Sequence, residues 1–208
     1  MKISVLVRNQ EQLDVVKNYP CDMIYTDNLE LAKKYPEIFY QVARVKEESD
    51  LPDNILISDI GRIFSLKDKK IVVDYYMNVA NSKTIEVLLK LGVEKINVSL
   101  ELEDALLKQI TNLDSYPIEI LVYGRVEDMI LKQHPIFNKN GYSIKDYEGK
   151  LYPIYKTKNG VSIFHYEPIN RLDKISFYRD LGINCFRIDF LEEGQAEIEC
   201  ILQNVFKN

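Results

Sequence analysis

The chain has 208 residues, of which 46% are hydrophobic and 28% are charged, and its formal net charge is −5. This length supports one full-sized core or at most two small ones, and the composition is typical of a globular domain. The negative charge argues against general affinity for nucleic acid or anionic membranes. No apolar run approaches the roughly 20 residues of a membrane helix. We therefore expect a cytoplasmic protein with one domain over residues 1–208 and neither a membrane nor a nucleic-acid partner.

The three cysteines, Cys21, Cys185 and Cys200, are odd in number and widely spaced. No CxxC pair indicates a zinc site, and disulfides are not expected in a cytoplasmic protein. Each thiol is expected to pack as a small apolar residue.

Segment 71–102 predicts a βαβ unit. Residues 71–75 form a β-branched apolar run, Asn81 offers N-cap chemistry, Gly92 suits a helix C-cap, and residues 96–100 form a second apolar run. Such units place ligands at the carboxyl ends of their strands, so this segment indicates where a site would lie.

Six more strand patterns and one hairpin region surround this unit. Strands are predicted at 3–7, 23–26, 40–45, 55–58, 71–75, 96–100, 118–123 and 185–190. Helices are predicted at 10–18, 29–34, 83–91, 103–111, 126–133, 170–181 and 194–206.

This order predicts an α/β fold, namely a compact (βα)8 TIM-like barrel with weak helices after the third and fourth strands. The chain is short for that fold, which typically needs about 250 residues. An open doubly wound sheet is the alternative. Its dinucleotide-binding version is disfavoured because no glycine-rich turn follows the first strand.

Residues 138–166 interrupt the alternation of strands and helices. Three glycine-containing turn signals lie at 139–141, 147–149 and 158–160. Asn-Gly turns between alternating residues are typical of hairpins. We predict a β-hairpin insertion after the seventh strand, placed where it could act as a lid or a wall of the site.

Polar residues follow most of the predicted strands and would converge at one mouth of a barrel. Arginines facing carboxylates could hold a ligand with a carboxylate or phosphate group. The ligand-binding candidates are Arg8, Arg44, Asp59, Asn78, Ser99, Tyr123 and Arg125, with Asp27 and Glu192 at further strand ends. The simpler alternative is that strands end where solvent begins, with Asp27 and Asp59 acting as helix N-caps.

General acid/base chemistry has four candidates: Glu101, Asp189, His134 and His165. The two histidines could meet through the hairpin, although His134 could also simply end a helix before Pro135. Because no third ligand stands at a diagnostic spacing, we expect no metal and no cofactor. Arg187 and Asp189 alternate with apolar residues, so a buried ion-pair network is the alternative to catalysis by Asp189.

A set of motifs in one order resembles the collagenase-like peptidase family, peptidase family U32. The motifs are VLVRNQEQLDVV, NVANS, LLKLGVEKINVSLEL, PIEILVYGR with Met129 and His134-Pro135, NGYSIKDYEGKLYPI and FRIDFLEE. The resemblance covers nearly the whole chain. It implies a barrel-like domain. It also implies either protease activity or oxygen-independent hydroxylation of RNA bases or quinone precursors with an iron–sulfur cluster.

The chain departs from the family pattern at the cysteine positions and at the peptidase signature. His134 stands where the family has a cysteine before proline, and the cysteines of the following loop and near 161–164 are absent. The Gly-Ser/Ala-x-Cys peptidase signature is also missing after Tyr123-Gly124-Arg125. Without thiolates, a conventional cluster has no ligands, so cluster-dependent chemistry is expected to be lost.

Three hypotheses follow. The first is a cluster-free relative that binds a small-molecule or peptide ligand, or a partner such as a related family subunit or a second copy, without catalysis. The second is a hydrolase of peptide-like substrates. The third is an RNA-modification enzyme or its accessory, with arginines receiving phosphate and tyrosines stacking on bases, against which the acidic balance argues.

Overall fold

Eight parallel strands form a closed barrel in the computed structural model, which describes residues 1–45, 47–113, 116–132 and 141–207. The described residues contain thirteen strands in all, namely β1 (Lys2–Val7), β2 (Met23–Thr26), β3 (Phe39–Gln41), β4 (Asn54–Ile57), β5 (Lys70–Val73), β6 (Lys95–Asn97), β7 (Ile118–Gly124), β8 (Glu127–Leu131), β9 (Tyr142–Lys145), β10 (Leu151–Thr157), β11 (Gly160–Phe164), β12 (Ile169–Asn170) and β13 (Cys185–Asp189). The barrel order is β1 to β7 and then β13, which pairs with β7 on one side and β1 on the other. The predicted (βα)8 TIM-like barrel is therefore confirmed, with strand β12 added antiparallel to β7 outside the ring.

Helices follow most barrel strands and cover the outside of the ring. They are α1 (Gln10–Val16), α2 (Leu29–Lys34), α3 (Gly61–Ser65), α4 (Ser82–Lys90), α5 (Asp104–Leu113), α6 (Ile175–Asp180) and α7 (Gln195–Lys207). Asn9, Asn28 and Asn81 cap three of them, each side chain accepting a backbone N–H from the first turn. In the described residues between β3 and β4 there is no helix, and α3 has only five residues. Within the described residues, no helix is long and apolar enough to cross a membrane.

Apolar side chains form two separate cores because successive strand residues point to opposite faces of the sheet. The larger core lies between the strands and the helices and includes Ile3, Val5 and Leu202. The smaller core fills one side of the barrel interior with Leu6, Tyr25, Phe39, Leu56 and Val72. Charged and polar side chains occupy the remaining part of the barrel interior, and some of them line the candidate site at the carboxyl ends of the strands.

A four-stranded antiparallel sheet, in the order β8-β11-β10-β9, follows the seventh barrel strand. It corrects one prediction, because residues 127–131 form strand β8 and not part of a helix at 126–133. The spacing of apolar residues there fits a helix and a strand equally well. Antiparallel pairing with β11 makes the segment a strand. The sheet thus starts before the predicted insertion 138–166, whose boundaries stay a prediction.

The predicted helix 170–181 is also shorter than expected. Asn170 belongs to β12, Leu172–Lys174 form a single 3-10 turn, and α6 begins only at Ile175. Pairing of β12 with β7 holds the first residues extended, so the helix starts after the chain has left the barrel wall.

Candidate functional site

The carboxyl ends of the barrel strands surround a small polar cavity. Arg8 and Asp27 come directly after β1 and β2, and Asp189 ends β13. The small sheet closes the cavity from above, where Thr157, Lys158 and Asn159 form the turn between β10 and β11. The volume open to a water-sized sphere is about 20 Å³, which is enough for about one water molecule.

The first ion pair of the mouth joins Arg8 to Asp27. The Arg8 Nε atom also donates to the carbonyl of Phe190 at 3.1 Å, and its guanidinium lies 5.6 Å from the Phe164 ring centre. Burial alone would lower the pKa of Arg8, but the carboxylates of Asp27 and Asp189 outweigh it and raise that pKa. Asp27 therefore forms an ion pair and is not the N-cap of α2. The side chain of Asn28 caps that helix.

The second ion pair joins Arg44 to Glu127 and ties the barrel to the small sheet. The Arg44 guanidinium lies 3.7 Å from the ring centre of Tyr76, whose hydroxyl accepts the backbone N–H of Glu127 at 2.9 Å. The backbone N–H of Arg44 donates to Asn159 Oδ1 at 2.8 Å. These contacts hold the turn containing Asn159 against the mouth.

A fully paired charge network lies beneath the mouth, inside the barrel. Arg187 is fully buried and donates to both oxygens of Asp189, at 2.6 and 3.0 Å, and to Asp74 at 3.4 Å. Tyr75 donates its hydroxyl to Asp189 at 3.2 Å, and Gln41 donates to Asp74 at 2.7 Å. Burial raises the pKa of Asp189, while Arg187 opposes that rise.

A second buried group lies at the opposite, amino-terminal end of the barrel interior. Lys95 donates to Glu119 and to Ser4, each at 3.2 Å, and Tyr25 donates to Glu119 at 3.1 Å. The interior is therefore a packed, hydrogen-bonded core and not an open pore.

Lys158 differs from these cations because its Nζ atom is buried and has no hydrogen-bond partner among the residues that the structure describes. Its nearest aromatic neighbour is Tyr40, whose ring centre lies 4.1 Å from Nζ. Burial lowers the pKa of Lys158 to about 8, although the carboxylates of Asp27 and Glu48 oppose that effect. Lys158 is thus a buried amine at the mouth whose charge changes near neutral pH.

A wider cleft opens beside the small cavity and shares Arg8, Asp27 and Lys158 with it. It runs between the loops after β1, β2 and β13 and the edge of β10, and its volume is about 560 Å³. The cleft gives a small molecule a route from solvent to the neighbourhood of Lys158.

The structure brings together only part of the predicted ligand-binding set. Arg8, Arg44 and Arg125 gather at the mouth, where Arg125 donates to the carbonyls of His165 and Tyr166 at 2.9 and 2.5 Å. All three guanidiniums thus already have partners, two of them carboxylates.

The other predicted ligand-binding residues lie away from the cavity. Ser99, in the loop after β6, donates to Asn78, which lies in the loop after β5, and Tyr123 donates to Glu193 at 3.2 Å. Burial, with Glu193 beside the hydroxyl, raises the pKa of Tyr123 to about 12. Asp59 is exposed and accepts the backbone N–H of Gly61 at 2.9 Å.

The predicted acid/base residues do not share one position. Asp189 is buried in the ion-pair network, and Glu101 is exposed and does not line the mouth. His165 Nδ1 lies 2.9 Å from Asp128 on an exposed part of the small sheet. His134 lies outside the described residues, so its predicted meeting with His165 stays a prediction.

The cysteines do not fit the iron–sulfur cluster that the family resemblance implies. Cys185 begins β13 and Cys21 precedes β2, so both lie at the end of the barrel opposite the mouth, and Cys200 lies on α7. Burial raises the pKa of the Cys21 thiol to about 12, which disfavours the thiolate that a metal needs. In the part of the chain that the structure describes, no three His, Cys, Asp or Glu side chains are grouped to hold a metal ion.

The sequence analysis singled out only part of the mouth, and the lining residues that it missed include Gln41, Tyr76, Glu127 and Lys158. Three lie at or near strand ends, where the same reasoning could have found them. Lys158 was seen only as part of a turn signal, since its burial depends on where the hairpin docks.

Comparison with known proteins decides the family. The sequence model of peptidase family U32 matches residues 9–132, which is more than half of the chain. The chain belongs to peptidase family U32. The match ends before the turn that carries Lys158, so this part of the mouth lies outside the matched region. No curated protein and no solved structure gives a significant match.

Proposed function

We propose that this U32 family protein binds a small ligand through a carboxylate or phosphate group at the mouth of its barrel, without hydrolysing peptides. The observation that carries the proposal is the buried Nζ atom of Lys158, which lacks a hydrogen-bond partner within the described part of the chain. A buried ammonium without acceptors is unfavourable, and an anionic group would supply the missing acceptors.

The surroundings of Lys158 support a small ligand. The cleft beside it, about 560 Å³, falls within the range of about 300–1,000 Å³ that is usual for small-molecule sites. Backbone and side-chain donors of the turn, together with Arg8, line the same space. The cleft lining holds three basic residues, Arg8, Lys156 and Lys158, against the two acidic residues Asp27 and Glu192, so its charge favours an anion.

The positions of the acid/base candidates support binding more than hydrolysis. A general acid or base must reach the reacting atoms of the substrate within hydrogen-bond distance. Asp189 is engaged by Arg187 on both oxygens, and Glu101 and His165 are outside the cavity lining. A hydrolase acting on peptide-like substrates remains the alternative, and a cytoplasmic location is part of the proposal.

Titration calorimetry with inorganic phosphate and with succinate tests the proposal. We expect the wild type to bind at least one of them at pH 7, and Lys158→Met to bind at least tenfold more weakly. Lys145→Met is the control, because Lys145 is exposed on the same small sheet and does not line the cleft.

Two results would contradict the proposal. One is the absence of binding by the wild type, or equal binding by wild type and Lys158→Met. The other is hydrolysis of a fluorescent casein substrate that is lost in Glu101→Ala or His165→Ala, which would favour the hydrolase.

A further inference from the structure

Lys158 has the properties of a reactive amine as well as those of an anion receptor. We propose that Lys158 forms a reversible imine with a small 2-oxo acid that enters through the cleft beside the barrel mouth. This inference rests on the proposed function, since the carboxylate of the 2-oxo acid is the anionic group. It adds a carbonyl carbon as the atom that the amine attacks.

The first support is that nearby carboxylates are engaged elsewhere. Asp27 pairs with Arg8, and Asp74 accepts from Gln41 and Arg187. Glu48, the third nearby carboxylate, accepts from the Tyr40 hydroxyl at 2.6 Å and from the backbone N–H of Ala43 at 2.7 Å. In residues 1–45, 47–113, 116–132 and 141–207, Lys158 therefore has no ion pair that would hold it as an ammonium.

The second support is the balance of forces on the proton of Lys158. Burial and the positive charge of Arg8 favour the neutral amine, whereas Asp27, Glu48 and Asp74 favour the ammonium. The Tyr40 ring face also favours the cation. With a pKa of about 8, roughly half of this amine is neutral at pH 8, against less than ~1% for an ordinary lysine.

The third support is the fixed position of the amine. Gly160 closes the turn with a φ of +132°, and a Cβ atom there would lie 2.5 Å from the carbonyl oxygen of Leu131. Asn159 is held by the backbone of Arg44. These two features fix the backbone of the turn from which the Lys158 side chain reaches the lining of the mouth, and a fixed position favours a nucleophile.

The chemical step balances without a redox partner. The neutral Nζ lone pair attacks the carbonyl carbon, a C–N bond forms, and proton transfer gives a carbinolamine. Its hydroxyl then leaves as water while the nitrogen loses its remaining proton, so amine and carbonyl give imine and water. Arg8 also lines the cleft and could face the carboxylate with its N–H donors.

Reductive trapping with pyruvate and sodium cyanoborohydride at pH 8, read by intact mass and peptide mapping, tests the inference. We expect a single adduct on Lys158, formed at least tenfold faster than on any exposed lysine such as Lys145. Acetone, which lacks the carboxylate, should label Lys158 at least tenfold more slowly than pyruvate. Labelling spread over surface lysines, or equal labelling by acetone, would overturn the inference.

Two variants separate this inference from the proposed function. Lys158→Met should lose both the adduct and phosphate binding, whereas Lys158→Arg keeps the charge and should lose the adduct alone. Phosphate or succinate binding by the wild type without a pyruvate adduct would overturn the imine and leave the proposed function standing. An adduct on Lys158 without anion binding would instead overturn the proposed function.

Discussion

Arg187 and Lys158 are both cations inside this protein, yet their surroundings are opposite. Arg187 lies within the barrel with three contacts to Asp74 and Asp189, and the rings of Tyr25 and Tyr75 lie about it at 4.8 and 5.0 Å. Lys158 lies at the mouth with an aromatic ring beside it, and no described residue accepts a hydrogen bond from it. A paired buried charge can be explained by the fold, whereas an unpaired one calls for a ligand or a reaction.

The largest effect is expected from Arg187→Met. This change leaves the carboxylates of Asp74 and Asp189 buried without their cation, so we expect a loss of about 3–5 kcal/mol in the free energy of unfolding. Urea denaturation followed by circular dichroism measures it. Lys83→Met is the control, because it removes the cation of an exposed pair with Glu86 and should change stability little. A similar small change for both variants would show that the interior pairs do not stabilise the barrel.

Gly124→Ala should destabilise the same network through the backbone. Gly124 has a φ of +147°, and an added Cβ would lie 2.7 Å from the Cβ and carbonyl oxygen of Asp189. We expect a loss of about 2–3 kcal/mol, measured in the same way. Gly92→Ala is the control, since its φ of +90° gives strain without a clash and should cost about 1 kcal/mol. Equal losses would mean that the contact with Asp189 adds nothing.

Lys158→Met should stabilise the protein, in contrast to Arg187→Met. The pKa of Lys158 falls from its ordinary 10.5 to about 8 on folding, which corresponds to a penalty of roughly 1–3 kcal/mol once water near the cleft is allowed for. Below about pH 8 the amine is charged in both states and the penalty is present in full. Between about pH 8 and 10.5 the unfolded chain binds more protons, so wild-type stability rises and the advantage of the variant fades. Destabilisation by Lys158→Met at pH 7 would contradict the unpaired state of this amine.

The smallest effect is expected from Tyr75→Phe. It removes one hydrogen bond to Asp189, which keeps both of its contacts to Arg187, so the loss should be about 0.5–1.5 kcal/mol. Tyr147→Phe is the control, because Tyr147 is almost fully exposed and its hydroxyl should not matter. A loss as large as that of Arg187→Met would show that the hydroxyl, and not the guanidinium, secures Asp189.

Most of the fold followed from local sequence patterns. The apolar runs placed eight barrel strands, and the N-cap at Asn81 and the turn at Gly92 marked the two ends of α4 correctly. The prediction of a helix at 126–133 was wrong because short apolar runs fit helix and strand equally, and only pairing with β11 separates them.

The candidate site was less accessible from the sequence. Position at a strand end predicted that Arg8, Arg44 and Arg125 would gather, because parallel strands converge at one edge. It did not predict that Asp27 and Glu127 would neutralise two of them, nor that Ser99 and Tyr123 would lie elsewhere. Those outcomes depend on which way each side chain turns after its strand has ended.

The sequence by itself determined the barrel and the family, and it predicted that a site would lie at the carboxyl ends of the strands, since all three inferences use the order and spacing of residues along the chain. Only the tertiary structure decided that the turn between β10 and β11 covers the mouth and buries the amine of Lys158. The physical reason is that burial and missing partners are properties of distant segments brought together. A local sequence pattern does not show which carboxylate already forms an ion pair with another cation.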